Sequence, residues 1–378
     1  MEALRVIGAK ASLRELVGVL AAANFTVSLR RTAEGPIAMS ASSEQAGPFQ
    51  RMAGLLMGHF AAECVHAVAV LGIADLLANG PATTEALASA TGCDAPSLQR
   101  VLRILVRLGV FTEIEPSRFG LTPVGATLRS DVTDTLRDAA IFMLSAPMWA
   151  TCGALVETLR SGEPAFITLH NATIHQYLAE HPELAAVFNR FMTAQSNLHN
   201  PAIVDAYDFS GIRTLIDVGG GHGATLTAVL RRYPMMKGIL FDLPEVAATA
   251  RLETSEVAGR CEVVGGSMFA SVPAGGDAYI IKRVMMDRSD GEAEAILRNC
   301  LSAMNAAGKI LVIDPMLPAG HEPHPNWLTD MISLTVTRGQ CRTEAEFRNL
   351  FNAVGLTLTR IVATRSPNFI LEAVRAAA

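Results

Sequence analysis

A run of glycines between an apolar segment and a helical one constrains this chain more than any other feature. The stretch Leu215-Ile-Asp-Val-Gly-Gly-Gly-His-Gly-Ala-Thr225 starts as a buried strand would, and residues 224–233 have the apolar spacing of a helix. Glycine tolerates left-handed backbone and has no side chain, so such a turn lets a ligand approach the backbone at a helix N-terminus. The sequence therefore predicts a strand–turn–helix ligand site in an α/β domain.

A second predicted strand, residues 238–242, ends in an acid. Asp242 follows the glycine turn by about twenty residues, the position from which a carboxylate holds ribose hydroxyls. The spacing Gly219-x-Gly221-x-x-Ala224 fits a dinucleotide site, but that pattern alone is weak.

An acid before the glycines distinguishes two cofactors. Asp217-x-Gly219-x-Gly221-x-Gly223 is the acid-plus-glycines loop of S-adenosylmethionine enzymes. The Asp217 carboxylate could receive the ammonium of a methionine, whereas a pyrophosphate would be repelled by it. The turn therefore favours S-adenosylmethionine.

Composition limits the remaining possibilities. A chain of 378 residues, 50% hydrophobic and 18% charged, can bury two or three cores. A net charge of -5 argues against nucleic acid as the main partner, and six scattered cysteines without a CxxC pair indicate reduced thiols. The histidines have no metal-ligand spacing, and no uninterrupted apolar run is long enough to span a bilayer. These features predict a cytoplasmic protein without a metal or a membrane partner.

The first two predicted regions are an extension and a dimerisation domain. Residues 1–48 read as an N-terminal extension that could be disordered. A helix expected over residues 13–25 is weakly like a transit peptide, and Met39 is a second plausible start of the coding frame. Residues 49–134 read as a winged helix. Its first helix, over residues 49–77, is apolar around much of its circumference, as in a homodimer interface.

The winged helix raises the question of DNA binding. Arg100, Arg103 and Arg107 lie on its second helix, before a two-stranded wing over residues 110–122. Apolar neighbours bury that helix and the chain is acidic, so nucleic acid is not the expected partner.

The other two regions are a helical roof and a catalytic domain. Residues 135–200 are helical, and large side chains there could line an acceptor pocket: Trp149, Phe166, His170, His175, Phe188 and Met192. Residues 201–378 alternate strands and helices, which predicts a doubly wound, Rossmann-like sheet ending in an antiparallel hairpin. The strands expected are 214–218, 238–242, 261–264, 277–281, 309–313, 356–362 and 368–373, and the helices 223–233, 244–253, 291–306 and 343–353.

From residue 49 onward the chain resembles the small-molecule O-methyltransferases of the caffeate and hydroxyindole type, in their bacterial branch. The matching segments include Leu71-Gly-Ile-Ala-Asp-Leu-Leu77, Asp217-Val-Gly-Gly-Gly-His-Gly223, Phe241-Asp-Leu-Pro244 and Arg342-Thr-Glu-Ala-Glu-Phe347. The resemblance implies S-adenosylmethionine, an intertwined homodimer and a pocket between roof and sheet. It implies cofactor contacts from Asp217, Gly219, Gly221, Gly223, Asp242, Leu243, Ser267, Met268, Phe269 and Lys282.

The chain departs from this family where the family has its base. In Ile281-Lys-Arg-Val-Met-Met-Asp-Arg288, Met286 occupies the position of the catalytic histidine and Arg288 that of a tryptophan. Cys341 occupies the position of the glutamate that orients the histidine, and Ser267 that of an aspartate. A positioned base contributes about 10²–10⁴-fold, and methionine cannot accept a proton.

The missing base and the added arginines predict an unusual acceptor. A thioether, a neutral amine or a carboxylate needs no base, and alignment alone can contribute about 7–11 kcal/mol. Arg288 and Arg338 could bind a carboxylate, or they could form surface ion pairs, as could Arg283 and Arg342. The leading hypothesis is S-methylation of a carboxylated thioether such as 4-methylthio-2-hydroxybutyrate.

Two alternatives stay open at this point. An O-methyltransferase could use a relocated base, with His170, His175 and Asp287 as the candidates, and a third class would bind S-adenosylmethionine without transferring its methyl group. The pocket positions are Met286, Asp287 and Arg288, without an identified base. The expected acceptor contacts are Trp149, His170, His175, Met192, Arg288, Arg338 and Cys341, the last a packing residue more than a nucleophile.

Overall fold

The structure is a computed structural model that describes residues 47–250, 252 and 256–377. These residues form two compact units, one of residues 47–67 and 79–125 and the other of residues 68–78 and 126–377. The helix expected over residues 13–25 and the second start at Met39 lie outside the described residues.

The first unit contains the predicted winged helix. Thr83 and Asp94 cap its two short helices, since their side chains accept hydrogen bonds from the backbone N–H groups of Ala86 and Ser97, and left-handed Gly92 ends the first. The wing is confirmed, and a two-residue strand not expected from the sequence joins it in the order β1-β3-β2. The elements up to the second unit are α1 (Pro48–Val70), α2 (Ile73–Leu76, which belongs to the second unit), β1 (Ala82–Thr83), α3 (Thr84–Thr91), α4 (Ala95–Arg107), β2 (Phe111–Glu115), β3 (Arg118–Leu121) and α5 (Pro123–Ala126).

Helix α1 presents an unusual amount of apolar surface. Leu55 and Leu56 are 75% and 68% exposed, and Phe49, Met52, Met57 and Phe60 are also exposed. By length and composition α1 could cross a membrane, contrary to the expectation from the sequence. The same surface suits burial against a second subunit. By contrast, α4 buries Leu98, Leu102 and Leu105 within its own unit.

A mixed sheet forms the centre of the second unit. Its strand order is β6-β5-β4-β7-β8-β11-β10; β4 to β8 are parallel, and β11 is antiparallel to both its neighbours. All seven predicted strands and the terminal hairpin are confirmed; the short β9, paired with β8, was not predicted. The strands are β4 (Thr214–Val218), β5 (Lys237–Asp242), β6 (Cys261–Gly265), β7 (Ala278–Lys282), β8 (Lys309–Leu317), β9 (Arg342–Thr343), β10 (Leu356–Ala363) and β11 (Asn368–Arg375).

The helices of this unit differ from expectation in three places. Within the region 135–200 that was expected to be helical, residues 146–161 form two helices separated at Ala154. The helix expected over 244–253 ends after one turn, where the Thr249 hydroxyl donates to the Val246 carbonyl. Helix α15 was not predicted, because its threonines, serine and β-branched residues are weak helix formers. The helices are α6 (Arg137–Met143), α7 (Ala146–Gly153), α8 (Leu155–Ser161), α9 (Ala165–His170), α10 (Ile174–Glu180), α11 (Pro182–Ala206), α12 (Ala224–Arg232), α13 (Pro244–Ala247), α14 (Asp290–Ala303), α15 (Asn326–Val336) and α16 (Glu344–Asn352).

The two faces of the sheet bury separate cores. Ile216, Ile281 and Val312 pack with α14 and α16, whereas Leu215 and Ile280 pack with α11 and α12. Each such side chain stabilises the fold by about 1.5–3 kcal/mol when fully buried. Because side chains alternate along a strand, Asp217 and Lys282 fall on the α11 face at the carboxyl ends of β4 and β7.

Candidate active site

The glycine turn after β4 exposes its backbone to open space. Gly219, Gly221 and Gly223 have φ values of 71°, 59° and 83°, which side-chain-bearing residues rarely adopt. A Cβ added at Gly219 would come within 3.1 Å of Met268 Cε, whereas one at Gly221 would meet no atom within 4 Å. Gly221 therefore borders a space that a ligand can fill.

Asp242 is held at the end of β5 by backbone donors. The N–H groups of Gly221 and Leu243 each donate to its carboxylate at 2.7 Å. Burial raises the pKa of Asp242, and these two hydrogen bonds oppose that rise. The carboxylate is thus oriented beside the glycine turn, where ribose hydroxyls could donate to it.

Asp217 is a buried acid with unused hydrogen-bonding capacity. It is 1% exposed, and its Oδ2 has no partner among the described residues. Burial raises the pKa of Asp217 to about 7, and the nearby charge of Lys282 lowers it. The Lys282 Nζ donates to Ser196 Oγ at 2.7 Å, and burial lowers the pKa of Lys282 to about 8. An ammonium group on a ligand would satisfy Asp217, so these residues fit S-adenosylmethionine.

The segment after β6 joins the cofactor side to the acceptor side. The Met268 carbonyl accepts from Asn299 Nδ2 at 2.8 Å, and Phe269 N–H donates to Ser267 Oγ at 3.3 Å. The Arg288 guanidinium lies 5.4 Å from the centre of the Phe269 ring, a cation–π geometry. Arg288, predicted to contact the acceptor, and Phe269, predicted to contact the cofactor, thus lie against each other.

Hydrogen bonds hold the turn that contains Met286 in place. Met286 is 4% exposed, and its N–H donates to Asp314 Oδ2 at 2.9 Å. Arg342 donates to the carbonyls of Met285 and Arg288 at 2.7 and 2.8 Å. A Cβ at Gly339 would fall 2.1 Å from the Met286 carbonyl oxygen, so residues 339 and 286 lie directly against each other.

Buried acids lie around this turn. Burial raises the pKa of Asp314 to about 7 and also raises that of Asp287, while the charge of Arg283 lowers both. Arg283 itself has a left-handed φ of 54°. The Asp314 Oδ1 has no partner among the described residues. The position of Asp314 at the turn was not foreseen.

The helical roof contributes two histidines of different character. Burial and the charge of Arg288 lower the pKa of His175 to about 4, so its ring is neutral near Arg288. His170 lies between the rings of Phe166 and Tyr177, at 4.5 and 4.8 Å, and its buried Nε2 has no partner in the part of the chain that the structure describes. Trp149 and Met192 are half-buried, and Phe188 packs on Phe142 at 5.0 Å.

Of two residues predicted to contact the acceptor, Arg338 faces solvent and Cys341 has an unreactive thiol. Arg338 is 54% exposed and pairs with Glu163 at 3.3 Å, so it faces solvent rather than an enclosed pocket. Cys341 is buried, and burial raises the pKa of its thiol to about 12, so the thiol stays neutral. Arg342, 1% exposed, is used wholly within the protein.

A groove of about 1150 Å³ also runs between α11 and α12. Asn200, His222 and Thr227 line it, but Asp217 and Met286 do not. The groove therefore borders the candidate site, but Asp217 and the turn with Met286 do not line it. Within the described residues, no cluster of three histidine, cysteine or acidic side chains could hold a metal ion.

Comparison with known proteins places this geometry in a family. The profile of the O-methyltransferase domain matches residues 149–357, and that of the O-methyltransferase dimerisation domain matches residues 53–131. The phenazine O-methyltransferase PhzM of Lysobacter antibioticus is 42% identical over 84% of this chain and 94% of its own length. The phenazine-1-carboxylate N-methyltransferase of Pseudomonas aeruginosa is 32% identical over 85% of this chain and 96% of its own length.

A solved structure gives a ligand-bound counterpart. NcsB1, an O-methyltransferase from neocarzinostatin biosynthesis, was crystallised with S-adenosylmethionine and 2-hydroxy-5-methyl naphthoic acid. It is 31% identical, covers 83% of this chain and 96% of its own, and superposes with a TM-score of 0.71.

Proposed function

This chain belongs to the S-adenosylmethionine-dependent O-methyltransferase family, and from that premise we propose that it methylates a ring nitrogen or ring hydroxyl of a planar aromatic acid. It is a methyltransferase of small molecules that uses S-adenosylmethionine, and its N-terminal unit is a dimerisation domain. The proposal adds the class of acceptor and the residue that recognises it.

Arg288 carries the proposal. Its guanidinium lies over the Phe269 ring, and its Nε is buried without a partner among the described residues. A guanidinium group with a buried, unused N–H favours an anion, and its planar fork matches a carboxylate. Phe269 beneath it, 44% exposed, offers a flat face to an aromatic ring.

One relative is named for a fused aromatic acid, and another was crystallised with one. The Pseudomonas aeruginosa protein is named for N-methylation of phenazine-1-carboxylate, and NcsB1 was crystallised with a naphthoic acid. Both molecules combine a fused aromatic system with a carboxylate, which is the complement of Arg288 over Phe269.

A ring nitrogen agrees best with Met286 at the base position. S-adenosylmethionine supplies an electrophilic methyl group when it is bound. A neutral ring nitrogen attacks with its own lone pair, so no proton must be removed, and the N-methyl product carries the positive charge that leaves sulfur. The chain then contributes mainly alignment and exclusion of water, and alignment can account for about 7–11 kcal/mol.

The cofactor contacts proposed here are those predicted from the sequence. The glycine turn, Asp217 and Lys282 face the methionine end, Asp242 and Leu243 the ribose, and Ser267 and Met268 the adenine. Phe269 lies between the cofactor and the acceptor. Asp217 Oδ2 without a partner and the open space at Gly221 support this assignment.

Methyl transfer to a hydroxyl is the second candidate, because three buried groups could act as its base. His175 is a neutral imidazole beside Arg288, Asp287 is a buried acid with a raised pKa, and His170 has a buried, unpartnered Nε2. Transfer through such a base would increase with pH. The thioether hypothesis finds no counterpart in the relatives named above, whose names specify oxygen or nitrogen.

The test is transfer of labelled methyl from S-adenosylmethionine to matched acceptors between about pH 6 and pH 9. The acceptors are phenazine-1-carboxylate, phenazine, a hydroxynaphthoate, a hydroxynaphthalene and 4-methylthio-2-hydroxybutyrate. We expect transfer to the two aromatic acids in preference to their carboxylate-free analogues. At saturating S-adenosylmethionine, transfer to nitrogen should not vary with pH.

Substitutions identify the anion site. Arg288→Gln should raise KM for the aromatic acids about tenfold or more and leave the carboxylate-free analogues unchanged. Arg298→Gln, which removes an exposed pair with Glu294, is the matched control. Equal use of acids and their analogues, transfer to the thioether alone, or cofactor binding without transfer to any acceptor would each contradict the proposal.

A further inference from the structure

Arg283, the residue after β7, has a backbone conformation that arginine rarely adopts. Its φ of 54° lies in the left-handed region, which is strained for a long side chain. Its N–H donates to the Ile313 carbonyl at 3.0 Å, and this bond continues the pairing of β7 with β8 one residue past Lys282. The strained backbone therefore sets the direction in which the Arg283 side chain leaves the carboxyl end of β7.

The guanidinium group of the half-buried Arg283 acts on both sides of the site. On the side of α11, its positive charge lowers the pKa of His199 and of Lys282. On the side of the turn that follows β7, it lowers the pKa of Asp287 and of Asp314. Because such effects weaken with distance, the guanidinium group lies between α11 and this turn.

Arg283 and Arg288 form no ion pairs in the part of the chain that the structure describes. No acidic oxygen of the described residues lies within 4.0 Å of either guanidinium group. Arg338 and Arg342, by contrast, pair with acids at 3.3 and 2.7 Å. The charges of Arg283 and Arg288 thus stay available to a ligand.

Nearby acids offset these two charges only in part. Both arginines act on Asp287, but burial raises its pKa and disfavours its ionised form. Asp314 already accepts the Met286 N–H at 2.9 Å, and burial raises its pKa to about 7. A bound sulfonium group adds a further positive charge. An acceptor at this site therefore has to bring negative charge of its own.

We propose that Arg283 and Arg288 bind two separate carboxylates of one acceptor, so that the preferred acceptor is an aromatic diacid. Arg288, over the Phe269 ring, takes one carboxylate, and Arg283 takes the other at the end of β7. Each planar guanidinium fork matches one carboxylate. The inference rests on the proposed function, because it adds a second acidic group to the same aromatic acceptor.

The second carboxylate has a physical reason. An acceptor with one carboxylate leaves Arg283 half-buried without an anion, whereas a diacid gives each arginine a charge-assisted partner. The product of transfer to a ring nitrogen is positively charged, and two carboxylates on the same molecule offset that charge. Arg283 is therefore a specificity-determining residue, and its strained backbone is retained for the position of its side chain.

The test is calorimetric binding of acceptor analogues to the full-length protein saturated with S-adenosylhomocysteine. The probes are naphthalene-1-carboxylate, its uncharged amide and the isomeric naphthalenedicarboxylates, whose two carboxylates lie at different separations. We expect at least one diacid to bind about tenfold or more tightly than the monoacid. Arg283→Gln should reduce this advantage to about twofold or less and leave the affinity for the monoacid within about twofold.

Further variants separate charge, strain and general damage. Arg288→Gln should weaken binding of the monoacid and the diacid alike, and Arg283→Lys, which keeps the charge, should retain most of the preference for the diacid. Arg283→Gly removes the same charge and relieves the strained backbone, so it should lose the preference even if Arg283→Gln folds poorly. Arg298→Gln, at an exposed pair on α14, should change nothing.

The outcomes distinguish this inference from the proposed function. No diacid binding more tightly than the monoacid, or an equal loss of both in Arg283→Gln, would overturn the inference alone. Weaker binding of S-adenosylhomocysteine by Arg283→Gln would also overturn it, because Arg283 would then serve the cofactor. A monoacid that binds no better than its amide would contradict the role of Arg288 and with it the proposed function.

Discussion

Arg342 donates a hydrogen bond from its Nη2 to the carbonyl oxygen of Arg288 at 2.8 Å. The same guanidinium reaches the Met285 carbonyl at 2.7 Å and the Asp290 carboxylate at 2.7 Å. Residues 281–288 and 339–343 are therefore joined by one buried side chain. These contacts hold the turn with Met286 in place.

Replacing Arg342 should destabilise the protein. Arg342→Met leaves the buried carbonyls of Met285 and Arg288 without their donor, which should cost about 1–3 kcal/mol in the free energy of unfolding. Asp290 is 65% exposed, so the loss of that ion pair adds little. Denaturant unfolding measures the difference. The control Arg298→Met removes an exposed pair on α14 and should change the free energy by about 0.5 kcal/mol or less. Equal losses in the two variants would show that the buried contacts have no special weight.

Cofactor binding should depend on the ionisation of Asp217. Burial raises the pKa of this carboxyl to about 7, and only the ionised form can pair with an ammonium group. The affinity for S-adenosylhomocysteine should therefore fall as pH drops below about 7, by up to about tenfold per pH unit. Titration calorimetry at several pH values measures this dependence. Asp217→Asn should bind weakly and without this acid limb, whereas Asp208→Asn, at an exposed site, should behave as the wild type.

The same pKa shift predicts a change of stability with pH in the absence of ligand. The folded pKa of Asp217 lies above the ordinary value of 3.8, so the folded state holds a proton that the unfolded state has lost. Its contribution is complete below about pH 4 and is lost as pH rises through about 7. Asp217→Asn should show a smaller decline in Tm across that interval. A steeper decline in the variant would contradict the assignment.

Gly221 can be tested against a second left-handed glycine. An alanine at either Gly221 (φ 59°) or Gly92 (φ 70°) would meet no atom within 4 Å but would adopt a strained backbone, so each should lose about 1–2 kcal/mol of stability. Only Gly221→Ala places a methyl group in the proposed cofactor space. We expect comparable losses of Tm, with S-adenosylhomocysteine affinity reduced for Gly221→Ala alone. Equal affinity in both variants would place the cofactor elsewhere.

The apolar surface of α1 should hold the dimer together. Leu55 is 75% exposed within one chain, and Leu55→Glu would put a charge into the face that the second subunit covers. Loss of one buried leucine costs about 1.5–3 kcal/mol per subunit, before the cost of the charge. Light scattering after gel filtration should show monomers at concentrations where the wild type is dimeric. Met235→Glu, at a residue 92% exposed in the second unit, is the control and should remain a dimer.

Features governed by local physics were predictable from the sequence. Glycine at positions 219, 221 and 223 marks left-handed backbone, because only glycine adopts it without strain, and each of the three has positive φ. The caps at Thr83 and Asp94 follow from their hydrogen-bonding side chains, and the strands follow from short apolar runs. Asp217 and Asp242 could be placed in the same way, since Asp217 is the last residue but one of β4 and Asp242 ends β5.

Where the long cations point was decided by the tertiary structure. Arg288, Arg338 and Arg342 look alike in the sequence, yet one lies over Phe269, one pairs with Glu163 on the surface and one is buried under the turn. Their direction depends on partners up to 175 positions away, which no local pattern encodes. The buried Nε of Arg288, which has no partner among the described residues, was not foreseen for a related reason. A polar atom can be recognised as lacking a partner only when every element around it is in place.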